Sequence, residues 1–353
     1  QRTPHPSLTA DRELPDDTRL WAALQQLGGG TWGGCVYDVE AIVARLSGGN
    51  ALAPELVDAI TERTDGVPLF VEEMTKAVLE SGLASVPTTL HDSLMARLDR
   101  VPEVKAVAQI AAVIGRVFDH ALLAAIAELP ENQLLAALDK LIAAELVFRR
   151  GSAPDSIYTF KHALVRDAAY ESLLKTRRRE LHAALFAVLA KLPDTSEELL
   201  AHHAEAAGLN ETAIGHWRAA GEQAAARSAN EEAIRHFERA LELLASVSAT
   251  EETARIELDT ALSLAFVNIV SQGYSAPGAV TAYARARRLS EQIGDSNGLS
   301  VAMWSEYSDH LVRGDVAGAL HKAHELMAHA QSTGVARDLV MALRSVGIGS
   351  QHA

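Results

Sequence analysis

A mainly α chain is what this sequence predicts, with one short β-hairpin set among helices and a closing solenoid of helix pairs. Three observations predict it. From Val39 onward apolar residues recur near the helical period of about 3.6. Two short alternating runs, around residues 146–150 and 157–161, flank a turn-rich Gly-Ser-Ala-Pro-Asp-Ser. A small–aromatic–small triplet then returns along the C-terminal part of the chain.

The first 36 residues are the least regular by composition, with three prolines and a glycine-rich run from Gly28 to Gly34. A phosphate-cradling loop needs a preceding apolar strand and a closing Gly-Lys-Ser/Thr at a helix start, and neither is present. Residues 1–36 therefore read as an irregular edge or linker. Residues 37–88 read as helices: Leu56 and Ile60, then Leu69, Met74, Val78 and Leu79, keep helical spacing, with Pro54 suited to a first turn. Thr64-Asp65-Gly66-Val67-Pro68 is the turn between two of them.

Residues 89–195 change character. Helices over about 90–114, 120–128 and 131–144 lead into the hairpin, and helices resume near His162 and Lys175, an order that predicts a winged helix. From 196 to 353 the pattern is one of repeats. Trp217 and Gly221 are followed by Ala233, Phe237 and Ala240, in the manner of a tetratricopeptide repeat: small residues let two helices approach, and an aromatic fills the remaining gap. Ala279, Tyr283 and Ala286 repeat the triplet 46 residues on, and Gly314-Asp315 with Ala319 and Ala323 suggests a third unit 40 residues later. Both spacings exceed the usual length of about 34, so the array is expected to be degenerate.

Length and charge bound the function. At 353 residues there is material for two or three domains, and 48% hydrophobic with 22% charged residues is ordinary for folded protein. A net charge of -14 opposes binding to phosphate backbones. The one dense basic run, Lys175, Arg177, Arg178 and Arg179, is expected to be a solvated helix face. Cys35, alone in the sequence, cannot form an internal disulfide. No apolar run approaches the ~20 residues that span a bilayer, so no membrane partner and a cytoplasmic location are expected. The start at Gln1 and the close on an unpaired helical pattern are expected of part of a longer protein.

No catalytic or metal-ligating set is expected. His202 and His203 are adjacent, so on a helix they point about 100° apart, and His182 has no acidic or cysteine group at ligand spacing. No serine or cysteine sits in a nucleophile elbow. Glu72-Glu73 and Glu231-Glu232 read as neighbours on exposed helical faces.

Four passages together resemble the signal-transduction ATPases with numerous domains, in particular bacterial proteins that join a class III adenylate or guanylate cyclase to an AAA-like ATPase and tetratricopeptide repeats. They are ERTDGVPLFVEEMTKAVLESG (62–82), TLHDSLMARLDRVPEVKAVAQIAAVIGRVF (89–118), YTFKHALVRDAAYESLLKTRRRELH (158–182) and HWRAAGEQAAARSANEEAIRHFERALELL (216–244). The resemblance implies that residues 37–88 are lid helices of the ATPase, in which Gly66 and Pro68 match a Gly-x-Pro element whose proline packs on adenine. It also implies that His162 matches the histidine of a Met-His-Asp motif that reaches the ADP phosphate, although here Lys161 and Ala163 replace its neighbours. ATP or ADP would then bind to an upstream ATPase core of a parent protein, with no tight binding expected from this chain alone. The expected role is non-catalytic: regulation, and contact with a protein partner through the repeats. A transcription regulator of the same ATPase group, or a plain repeat scaffold, is the alternative.

Overall fold

The structure, a computed structural model, describes residues 39–48, 52–64, 67–80, 90–99, 102–151 and 155–352. The expectations for residues 1–36, including Cys35, and for Gly66 lie outside them. The chain divides into two compact units, one ending at Pro102 and one running from Glu103 to Ala353.

The described part of the first unit is helical: α1 (Val39–Leu46), α2 (Pro54–Thr64), α3 (Pro68–Glu80) and α4 (Leu90–Asp99). Pro54 and Pro68 each occupy the first helical position, where a missing N–H costs nothing and the fixed φ is already helical. Val43, Ile60, Val71, Met74 and Val78 form the core; of the periodic positions read from the sequence Ile60, Met74 and Val78 are buried, while Leu56, Leu69 and Leu79 are only partly so. One expectation is corrected here. Glu72 sits at the rim and pairs with Lys76 at 2.8 Å, but Glu73 is only 2% exposed. Successive residues on a helix diverge by about 100°, so an acidic pair need not share a face.

The second unit begins with α5 (Pro102–Ile114), β1 (Val117–Asp119), α6 (His120–Ala127), α7 (Glu131–Ala143), β2 (Val147–Arg150) and β3 (Ile157–Phe160). This order of helix, strand, two helices and hairpin is a winged helix. The hairpin is joined by a strand that the sequence reading missed: the sheet order is β1-β3-β2, antiparallel throughout, with Phe118 opposite Tyr158 and Phe148 opposite Thr159. Phe118, Tyr158 and Phe160 are buried, and the Phe118 and Tyr158 rings stack 5.5 Å apart. Asp119 ends β1 and caps α6, accepting from the Leu122 N–H at 2.6 Å. The single helix expected over 90–114 is two, α4 and α5, because Pro102 is tolerated in a first turn and not in an interior.

Next come α8 (Ala163–Glu171) and α9 (Lys175–Leu189), then the array: α10 (Glu197–Ala207), α11 (Asn210–Ala226), α12 (Asn230–Leu244), α13 (Glu251–Gln272), α14 (Pro277–Ile293), α15 (Ser296–Val312), α16 (Val316–Thr333) and α17 (Ala336–His352). From α9 onward each helix packs on its sequence neighbour, the arrangement of a tetratricopeptide-like solenoid. The long spacing between repeats comes from long helices, with 22 residues in α13 and 17 each in α14 and α15. Side-chain caps from Ser196, Thr250, Asp295 and Asp315 start four of them. Gly294 and Gly334, at φ 73° and 68°, end α14 and α16 in a left-handed conformation that a side chain would disfavour. The triplets are buried as expected: Ala233, Phe237 and Ala240, then Ala279, Tyr283 and Ala286. In the third unit Ala319 and Ala323 are buried too, but their aromatic partner is Tyr307, from the first helix of the pair.

Candidate functional site

Of the three residues implied to meet a nucleotide, the structure describes two. Pro68 is half-buried at the start of α3, where the Val67 N–H donates to Thr64 O at 2.9 Å and closes the turn behind it. His162 follows β3 at the N-cap of α8, with extended backbone (φ -129°, ψ 146°) and a half-buried ring that does not cap the helix. Pro68 and His162 belong to different compact units.

The array builds a surface groove of about 540 Å³ between α11 and α13. Its floor is apolar, made by Phe237, Leu262 and Val267. Its sides carry Ala226, Glu222 and Phe266, and Phe266 is 62% exposed despite being a large aromatic. One turn further along α13, Val270 is 58% exposed. The sequence reading found Phe237 as a core residue but passed over Phe266, whose exposed place shows only once α11 lies beside α13.

Beneath the other face of α11, a polar assembly organises α10, α11 and α12. Trp217 donates its Nε1–H to Glu205 Oε2 at 2.9 Å, and Arg239 of α12 pairs with the same carboxylate. Burial acts to raise the Glu205 pKa, but the bonds from Arg239 and Trp217 outweigh it and hold the group below its ordinary value. Trp217 also stacks on His236, ring centroids 5.2 Å apart. His236, Glu232 and Glu198 place one nitrogen and two carboxylate oxygens within 4.8 Å of one another, and Arg227 pairs with Glu232.

A second histidine grouping joins α8, α9 and α10. His182 and His203 are 2% and 3% exposed, with their Nδ1 atoms 2.9 Å apart. The Tyr170 hydroxyl lies 3.0 Å from the His182 Nε2. An Nδ1–Nδ1 bond needs one donor and one acceptor, so one of these nitrogens carries a proton and the other does not. Burial, then the neighbouring His202, Arg178 and Arg166, lowers the His182 pKa to about 4. Burial, then His182 and His202, lowers that of His203 to about 3. The basic run is likewise less uniform than expected. Lys175, Arg177 and Arg179 are exposed, but the Arg178 guanidinium lies 4.2 Å over the Tyr170 ring and donates to the Tyr170 carbonyl at 3.0 Å. Among the described residues no helix is long and apolar enough to cross a membrane.

Comparison with known proteins adds little about chemistry. No family model matches the chain. Over 194 residues it is 32% identical to the uncharacterized protein R02095 of Rhizobium meliloti, covering 50% of this chain and 19% of that protein. Shorter stretches are similar to two D-xylonate dehydratases of Escherichia coli: YagF, 55% identical over 49 residues, and YjhG, 62% over 45. These stretches cover 14% and 13% of this chain, and 8% and 7% of the dehydratases. Among solved structures, the signal transduction ATPase with numerous domains and a tetratricopeptide repeat sensor, PH0952 from Pyrococcus horikoshii, aligns with 89% of this chain and 57% of its own. Its identity is 12% and its TM-score 0.35, too loose a likeness to carry an argument. The chain spans less than a fifth of the length of the curated relatives it matches.

Proposed function

We propose that this chain is the regulatory, partner-receiving part of an ATP-dependent signalling switch, and that the groove between α11 and α13 is where a protein partner docks. The observation that carries this reading is the exposed Phe266 beside an apolar floor of Phe237, Leu262 and Val267. Phe266 and Val270 together leave an exposed apolar patch beside the groove, and a contiguous patch with an aromatic anchor is what marks a protein contact. The flanks favour a basic partner: Glu222 borders the groove, Asp259 is exposed on the same helix as Phe266, and the chain carries a net charge of -14. The nucleotide half of the reading is supported by the four sequence passages that resemble the ATPase family. The resemblance names Gly66, Pro68 and His162, each by itself, as candidate contacts to ATP or ADP held by an ATPase core of a longer protein. A cyclase as the output domain is the finer form of the same reading and rests on that resemblance alone.

Peptides pairing one large apolar anchor with flanking Lys or Arg test the groove. Wild-type protein is expected to bind a subset of them, and Phe266→Asp to weaken that binding tenfold or more with its melting temperature unchanged, since the side chain is exposed. Binding that is indifferent to Phe266→Asp overturns the site. In a longer protein that retains the ATPase core, His162→Ala is expected to speed ADP release, and an unchanged release rate returns His162 to a structural role.

A further inference from the structure

Glu198, Glu232 and His236 have the donor types and spacing of a metal site, which neither the docking groove nor the nucleotide reading uses. We propose that they bind a divalent transition-metal cation, zinc above all, and that the bound ion ties α10 to α12 across α11.

The spacing is the first argument. His236 Nε2 stands 3.6 Å from Glu232 Oε1, outside hydrogen-bond reach. Ligand atoms around a tetrahedral ion with bonds of about 2.0–2.2 Å stand roughly 3.3–3.6 Å from one another. All three donors lie within 4.8 Å, so small rotations of the Glu198 side chain complete the set. Glu232 and His236 are one turn apart on α12, the i, i+4 relation that turns two side chains to one ion.

The imidazole is also fixed in advance. His236 is 5% exposed and held by the stacked Trp217, which is itself anchored through Glu205 to Arg239. A ligand whose ring cannot turn loses little entropy on binding. Glu198, in the first turn of α10, is exposed, so an ion has an entry path and a coordination position is left for water. An imidazole with two carboxylates suits zinc and its first-row neighbours better than magnesium or calcium, which prefer oxygen alone. The third ligand comes from another helix, 34 residues before Glu232 in sequence, so the site exists only in the folded array. Arg227, paired with Glu232, is the cation that a metal must displace.

Titrating the whole chain with Zn²⁺ alone by calorimetry tests the proposal, alongside quenching of Trp217 fluorescence by Cu²⁺, a paramagnetic ion that would sit against its stacking partner. Binding of one ion per chain is expected, with a rise in melting temperature because the unfolded chain lacks the site. Glu198→Gln, on an exposed side chain that the fold does not need, is expected to weaken Zn²⁺ binding by about tenfold or more. His236→Gln should do the same and remove the Trp217 quenching, whereas Arg227→Ala should tighten binding by removing the competitor. Zn²⁺ affinity unchanged in Glu198→Gln overturns the proposal, as does one-to-one binding that survives in a folded His236→Gln protein, or no binding by the wild type at millimolar Zn²⁺.

Discussion

A Cβ built on Gly221 lies 2.7 Å from Cε1 of Phe237, closer than non-bonded carbons approach, so the two helices of the first repeat touch through a glycine and the edge of a ring. The ring cannot swing away cheaply, because Phe237 is 2% exposed and packed among Ala233, Leu241, Leu264 and their neighbours. Gly221→Ala is therefore expected to destabilise the protein by about 1–3 kcal/mol through overpacking, despite the roughly 0.5–1 kcal/mol that alanine contributes in a helix interior. Thermal unfolding followed by circular dichroism checks this. Adding Phe237→Leu, which shortens the obstruction, should recover part of the loss, and a Gly221→Ala protein as stable as wild type would show that the ring is not seated against α11.

Glu205 is expected to matter more than a surface acid should. Its carboxylate accepts from Trp217 and from two nitrogens of Arg239, so Glu205→Ala removes three charge-assisted bonds and leaves a half-buried indole N–H without its acceptor. A loss of about 1–3 kcal/mol is expected, with a red shift of Trp217 emission as water reaches the ring. A double-mutant cycle with Arg239→Ala separates the Arg239 share. Additive losses from the two substitutions would mean that Arg239 and Glu205 do not act together.

Much of the array was legible because its information is local. The Ala233, Phe237 and Ala240 spacing places three side chains on one helix face whatever surrounds them, and the structure buries all three. What stayed hidden depends on residues far apart in sequence. The strand β1 is three residues long, too short to show a period, and becomes a strand only by pairing Val117 with Thr159. The sequence pairs His203 with its neighbour His202 and leaves His182 alone, and no helical spacing joins side chains 21 residues apart on two helices. The Tyr307 contact with Ala319 and Ala323 was missed for a different reason, since the repeat pattern placed the aromatic on the second helix.

The His182–His203 pair should make the α9–α10 junction acid-labile. Both pKa values lie below that of an unfolded histidine, about 6.5, at about 4 and about 3. Above pH 6.5 both rings are neutral in either state and their contribution is fully present. As the pH falls below 6.5 the unfolded chain takes up protons that the folded pair refuses, so stability drops until the folded values are reached. The groups facing the pair are Tyr170, Arg166, Arg178 and His202, and the three basic ones add to the penalty for a charged ring. Melting temperatures from pH 7.5 to 4.5 should fall more steeply for wild type than for His203→Gln, which lacks one of the two titrating groups, by roughly 2–4 °C for each kcal/mol of difference. Parallel pH profiles would show that the pair is not what senses acid.

Phe237 offers the sharpest test of how the array is coupled. Truncating it to alanine removes a ring that touches α11 through Gly221 and shares a core with Leu264 and Val267 of α13, so the expected cost is about 3–5 kcal/mol from lost transfer energy plus the cavity left behind. The adjacent Glu238 is exposed, and Glu238→Ala should change stability by less than ~0.5 kcal/mol. Solenoid helices contact mainly their sequence neighbours, so the damage should be graded along the chain. Amide exchange is expected to speed up most from about residue 200 to 290, through α10–α14, while the sheet around Phe118, Tyr158 and Phe160 keeps its protection because its aromatic core is built from different residues. Comparing exchange in wild type, Phe237→Ala and Glu238→Ala separates local loosening from a global loss of stability. Equal protection around Trp217 in the two variants would mean that the α11–α12 pairing does not depend on this ring, and a uniform loss reaching Phe160 would mean that the winged helix and the repeats unfold as one cooperative body.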